Sequence, residues 1–189
     1  GQHMIFRFLA AILAIGLLAG CTSQGIVAER SVMADNDAPY TLGSGDKLRV
    51  TVFGQLDLSG EFAVDGSGMV SMPLLKPVKA AGLSTEQLES ELEAELGKTL
   101  LRNPSVSVQV SEFRPFFILG EIAKAGQYPY VNGMTVETAV AIAGGYTYRA
   151  DRDVVRITRQ KGNKVVEMNV APTVVVKPGD TILVMERYF

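Results

Sequence analysis

Gly45-Asp46-Lys47-Leu48-Arg49-Val50-Thr51-Val52 decides how the chain is parsed. Leu48, Val50 and Val52 recur at every second position, the period of a strand that buries one face. The Gly-Asp pair ahead of them reads as a turn. Glycine admits positive φ, and an Asp carboxylate accepts hydrogen bonds from nearby backbone N–H groups. The arrangement returns at Gly179-Asp180-Thr181-Ile182-Leu183-Val184. This internal echo supports a division into two units, and it makes both aspartates structural rather than catalytic residues.

The first unit is expected over residues 40–111. Phe62 to Val64 and Met69 to Met72 read as short strands joined by a turn at Asp65-Gly66-Ser67-Gly68. Ser84 with Gln87 three residues on fits a capping box, which opens a helix from Thr85 to about Leu101. Leu88, Leu92, Leu96 and Leu100 form its apolar stripe. Val106, Val108 and Val110 alternate as the next strand. The second unit is expected over residues 112–189. It holds a buried strand at Phe116–Gly120, a turn at Gly126-Gln127-Tyr128-Pro129, and a short helix from Thr135 to Ala143 closed by Gly144-Gly145. A hairpin of Val154 to Arg159 and Val165 to Val170 follows around Gly162-Asn163, and a last strand covers Thr181–Glu186. The expected fold class is α+β, two small mixed domains with a helix against a sheet in each.

Ahead of these units, Met4 to Cys21 reads MIFRFLAAILAIGLLAGC. A basic start, an apolar core and small residues before a cysteine are the layout of a secretory leader. The apolar run is roughly half the ~20 residues that a membrane span needs. The cysteine makes the run resemble a lipoprotein signal, which implies a leader at residues 4–20, cleavage before Cys21 and lipid attachment to its thiol. Gly1-Gln2-His3 reads as a cloning remnant, and residues 21–39, small and polar, as a tether. Thr22 stands where an Asp would retain a Gram-negative lipoprotein at the inner membrane, so sorting to the outer membrane is expected in a cell that has one.

Composition narrows the chemistry. Net charge is −2 without a basic stripe, which argues against nucleic acid as a partner. The chain has one Cys, Cys21, and one His, His3. With one lipidated and the other in the remnant, the folded units hold neither. Disulfides, His/Cys zinc sites and Ser-His-Asp or Cys-His catalysis are then excluded. No P-loop is present. No cofactor and no metal are expected, and the chain reads as a non-enzyme. Glu86, Glu89, Glu91, Glu93 and Glu95 spread over the polar side of the first helix and read as a solvated face, not a cation site.

The ordered pieces resemble the bacterial polysaccharide export proteins, the Wza-like outer-membrane exporters. The first unit is similar to their export domain in Tyr40-Thr41-Leu42-Gly43-Ser44-Gly45-Asp46-Lys47-Leu48, Asp57-Leu58-Ser59, Val64-Asp65-Gly66-Ser67-Gly68, Pro73, Ala80-Ala81-Gly82-Leu83-Ser84 and Asn103-Pro104-Ser105-Val106. The second is similar to their β-grasp SLBB domain in Gly120-Glu121-Ile122, Gly126-Gln127-Tyr128, Thr135-Val136, Ala143-Gly144-Gly145 and Pro178-Gly179-Asp180. The resemblance implies a lipid-anchored ring at the periplasmic face of the outer membrane, with capsular polysaccharide or exopolysaccharide as cargo. It implies an inner-membrane polysaccharide copolymerase as partner. One SLBB unit and no pore helix after the last strand imply a short type that works with a separate outer-membrane β-barrel, the other reading being a truncated C-terminus. The alternative is a monomeric lipid-tethered carbohydrate-binding module.

Two surface clusters complete the reading. Tyr146, Tyr148, Arg149, Asp151 and Arg152 mix aromatic and charged groups after the Gly144-Gly145 stop, as protein interfaces do, and form the candidate subunit interface. Arg156, Arg159, Lys161 and Lys164 read as an exposed hairpin. Phe113, Phe116, Phe117, Tyr128 and Tyr130 read as core or domain-junction residues.

Overall fold

The computed structural model of the protein describes residues 39–188. Cys21, the leader and all of the tether except Pro39 lie outside the described residues. In the first lobe, β1 (Lys47–Val52) is the middle strand of an antiparallel sheet. It lies between β2 (Gly60–Ala63) and β5 (Val106–Glu112). Alternation does the work expected of it: Leu48, Val50 and Val52 are buried while Lys47, Arg49 and Thr51 are exposed. They meet the stripe of α1 (Thr85–Thr99), where Leu88, Leu92 and Leu96 are fully buried. The capping box of α1 is formed in both directions between Ser84 and Gln87.

The fourth leucine of that stripe departs from expectation. The helix ends at Thr99, and Leu100, at φ −127°, turns outward to 41 % exposure. The expected pairing of strands around Asp65-Gly66-Ser67-Gly68 is also reduced. β2 pairs with β1, and β3 (Met69–Val70) pairs with β4 (Val78–Lys79) as a separate ribbon. A single bridge, Val64 to Val70, joins the two. Asp65 organises this turn, its Oδ1 accepting from the backbone N–H of Ser67 and Met69 and from the Ser67 hydroxyl.

The second lobe is a five-stranded sheet in the order β7-β6-β10-β8-β9. β6 is Phe116–Gly120, β7 Gly126–Tyr128, β8 Ala150–Lys161, β9 Lys164–Val170 and β10 Thr181–Glu186. β10 runs parallel to β6 and antiparallel to β8, so the last strand in the chain is central in the sheet. α2 (Val136–Ile142) starts at Thr135, whose hydroxyl accepts from the Thr138 N–H, and buries Val136, Ala139 and Val140. β8 and β9 form the expected hairpin around Gly162-Asn163. β6 is buried on one face only: Phe116 and Ile118 are inside, Phe117 and Leu119 about two-fifths exposed.

Candidate functional site

The two Gly-Asp turns do more than feed strands. Each aspartate is wholly buried, and each accepts from the backbone N–H three residues before it: Gly43 to Asp46 at 2.9 Å, Lys177 to Asp180 at 2.8 Å. Each also holds an arginine, because a carboxylate taken out of water needs a counter-charge and filled lone pairs. Arg159 grips Asp180 through two parallel bonds of 2.8 and 2.6 Å. Arg159 is therefore a core residue, not part of an exposed hairpin cluster; at 6 % exposure it points inward from β8.

Asp46 is held by Arg114, in the segment between the lobes. Arg114 donates its backbone N–H to Oδ1 at 2.8 Å and its Nη1 to Oδ2 at 3.0 Å. Tyr40 donates its hydroxyl to Oδ2 at 2.5 Å and accepts from Arg114 Nη1 at 2.7 Å. Burial first, and then the bond to Asp46, push the Tyr40 phenol far above its ordinary range.

Arg114 is enclosed by backbone from both lobes. A Cβ on Gly43 would lie 2.4 Å from its Nη1, and a Cβ on Gly179 would lie 2.7 Å from its Nε. A side chain at either place would have to displace the Arg114 guanidinium, and Gly179 also holds a positive φ of 82°. The Gly179 N–H also donates to the Pro115 carbonyl at 3.0 Å. Beside the guanidinium, Phe113 makes T-shaped contacts with Tyr40 (centroids 5.1 Å apart) and Tyr130 (5.4 Å). Phe113 and Tyr130 are thus junction residues, while Phe116 and Tyr128 stack within the second lobe.

The candidate interface residues are spread over a loop and a strand. Tyr146 and Tyr148 lie in the loop after α2, whereas Asp151 and Arg152 belong to β8, which starts earlier than the sequence suggested. Asp151 caps the local backbone, its Oδ1 accepting from Asp153 and Val154. Arg149 is paired with Glu186 on β10. Arg152 lies over the Tyr146 ring at 5.8 Å, and Tyr148 is 81 % exposed. The Tyr146 hydroxyl is buried with no hydrogen-bond partner among the described residues.

Two residues escaped the sequence reading. Glu89 and Glu93 are not a solvated face: Glu89 accepts from the Val108 N–H at 2.8 Å and Glu93 from the Val106 N–H at 2.9 Å. They satisfy backbone donors of β5 on the side away from β1. The signal was their spacing, four apart and each directly after a buried leucine. Among the described residues, no three acidic, His or Cys groups converge as a metal site would need.

Residues 34–111 match the family described as polysaccharide biosynthesis/export protein, and residues 115–169 match the SLBB domain. The chain belongs to the polysaccharide export family. It carries the export domain followed by one SLBB domain. It is 31 % identical over 185 residues to the exopolysaccharide production protein ExoF of Rhizobium meliloti, covering 88 % of this chain and 42 % of that protein. It is 25 % identical over 144 residues to the polysialic acid transport protein KpsD of Escherichia coli, covering 75 % of this chain and 26 % of that one. The chain thus spans less than half the length of these curated relatives. The SLBB match stops before Gly179, Asp180 and β10, yet β10 is the strand between β6 and β8, so the folded SLBB lobe includes them. No helix among the described residues is long and apolar enough to cross a membrane.

Proposed function

We propose that this chain is a wall element of a translocon that exports capsular polysaccharide or exopolysaccharide. It is anchored by lipid on Cys21 at the periplasmic face of the outer membrane and assembles with copies of itself into a ring around the polymer. Its action is passive: it binds and guides, and does no bond chemistry. The energy and the chain-length control come from an inner-membrane copolymerase, and passage through the outer membrane from a separate β-barrel.

The observation that carries this reading is the ordered pair of domains locked at Arg114. A wall around a moving polymer needs subunits that hold their shape, and the shared guanidinium ties the export and SLBB lobes into one piece. The surface carrying Tyr148 and the Arg149–Glu186 pair is the proposed contact between neighbouring copies, because a large exposed aromatic beside paired charges suits an interface.

Mass measurement of the lipidated protein in mild detergent, alone and with an inner-membrane polysaccharide copolymerase from the same cell, tests the assembly. A discrete high-order ring is the expected result. A strict monomer in both conditions would replace it with the tethered carbohydrate-binding module.

A further inference from the structure

A groove of about 430 Å³ runs along the seam of the two lobes. Gln109, on β5, and Glu86, in the first turn of α1, line it from the export lobe. Tyr130 and Asn132 line it from the SLBB lobe, and Tyr40 and Phe113 from the seam itself. Its chemistry is mixed in a particular way. Three aromatic rings give apolar surface whose arrangement is fixed, since Phe113 makes T-shaped contacts with both Tyr40 and Tyr130 at interplanar angles of 84° and 74°. The Gln109 and Asn132 amides, each able to donate and accept, have no hydrogen-bond partner among the described residues. Glu86 is the one charged side chain in the lining, and no Lys or Arg is present there.

A pyranose has the matching character. Its C–H face is apolar and slightly positive, which suits the negative face of an aromatic ring, and its rim of hydroxyls pairs with amides. An acidic sugar would bring its carboxylate beside Glu86, while the Arg114 guanidinium against Tyr40 is already paired with Asp46. We propose that the groove binds a short segment of neutral glycan, with Phe113 and Tyr130 against a sugar face and Gln109 and Asn132 on its hydroxyls. This rests on the export reading, which makes a polysaccharide the cargo. It adds a grip on the polymer at the seam of each subunit, and it restricts that grip to uncharged sugars.

Saturation-transfer NMR on the full chain tests it. The probes are cellotetraose, maltotetraose and mannotetraose, with an α2,8-linked sialic acid tetramer as the anionic contrast. At least one neutral tetrasaccharide should receive saturation, and the sialic acid tetramer should not. Tyr130→Ala and Asn132→Ala should each weaken that binding by about tenfold, the usual size for a residue central to a contact. Phe53→Ala, exposed and outside the groove, should leave it unchanged. Asn132 is exposed, so its variant keeps the fold and decides the matter if Tyr130→Ala melts. Transfer to none of the three neutral probes would overturn the proposal. So would wild-type affinity in Asn132→Ala, or stronger binding of the sialic acid tetramer. Surface polysaccharide in a strain lacking the gene is scored separately. Its loss beside a negative NMR result would sink the groove and keep the export reading; its persistence would sink the export reading.

Discussion

Asp46 and Asp180 are solved by the same local device but with arginines of different exposure, and the consequences of removing those arginines differ. The Arg159 side chain is 7 % exposed and is bonded to a carboxylate that is 1 % exposed. Arg159→Ala strands a buried charge and should cost about 3–5 kcal/mol in urea denaturation. The Arg114 side chain is 23 % exposed, and its backbone N–H still reaches Asp46 after truncation. Arg114→Ala should cost less, about 1.5–3 kcal/mol, the range for a hydrogen bond to a charged group. Tyr40 gives a pH signature. Its phenol is raised in the folded state, so its contribution is fully present below the ordinary value of 10.0 and is lost as pH rises above it. Burial raises Tyr130 and Tyr146 as well, so absorbance at 295 nm should show several tyrosines ionising late, and Tyr40→Phe should lower the component that appears with alkaline unfolding by one tyrosine.

Among elements, α1 shows what periodicity reveals and what it hides. Its start, its capping box and three of its four stripe leucines follow directly from spacing. Leu100 does not, because a repeat of four cannot say where the last turn frays. Leu92→Ala empties a fully buried site and should cost about 2–5 kcal/mol by thermal or chemical melting. The roles of Glu89 and Glu93 were hidden for another reason. Nothing in the helix tells which strand lies beside it, so a glutamate that satisfies a strand N–H reads like one that faces water. Glu93→Met should release the Val106 amide, raise its hydrogen-exchange rate, and cost about 1 kcal/mol. Glu93→Gln, which keeps an acceptor, should restore most of the protection. The start of β8 is hidden in the sequence because its first residues, Ala150 to Asp153, lack the alternation of the rest. They are held instead by β10, through the pairing of Ala150 with Glu186.

On the scale of the whole molecule, the two lobes share one cation and a row of three rings, so they should melt together. Wild-type protein should show a single transition by calorimetry and by tyrosine fluorescence. Arg114→Ala should separate it into two, with new chymotryptic cleavage after Phe113. The order of the domains was legible in the sequence because each has its own turn-and-strand pattern. Their clasp was not: Asp46 and Arg114 lie 68 residues apart, and no local pattern links them. Gly43 and Gly179 were visible as glycines, but the reason for them is a side chain that the sequence places far from both.

The position of β10 bears on how the molecule comes into being. Synthesis proceeds from the first residue onward, so the export lobe has all its strands and α1 before any of the SLBB sheet exists. The SLBB lobe has no such early completion. Its middle strand is made after the four that surround it, and until it arrives β6 and β8 each present a bare hydrogen-bonding edge. Such edges invite pairing with other chains. A newborn molecule therefore passes through an interval in which one half is finished and the other is open to the wrong neighbour. That interval closes when Asp180 meets Arg159 and Gly179 settles on Arg114.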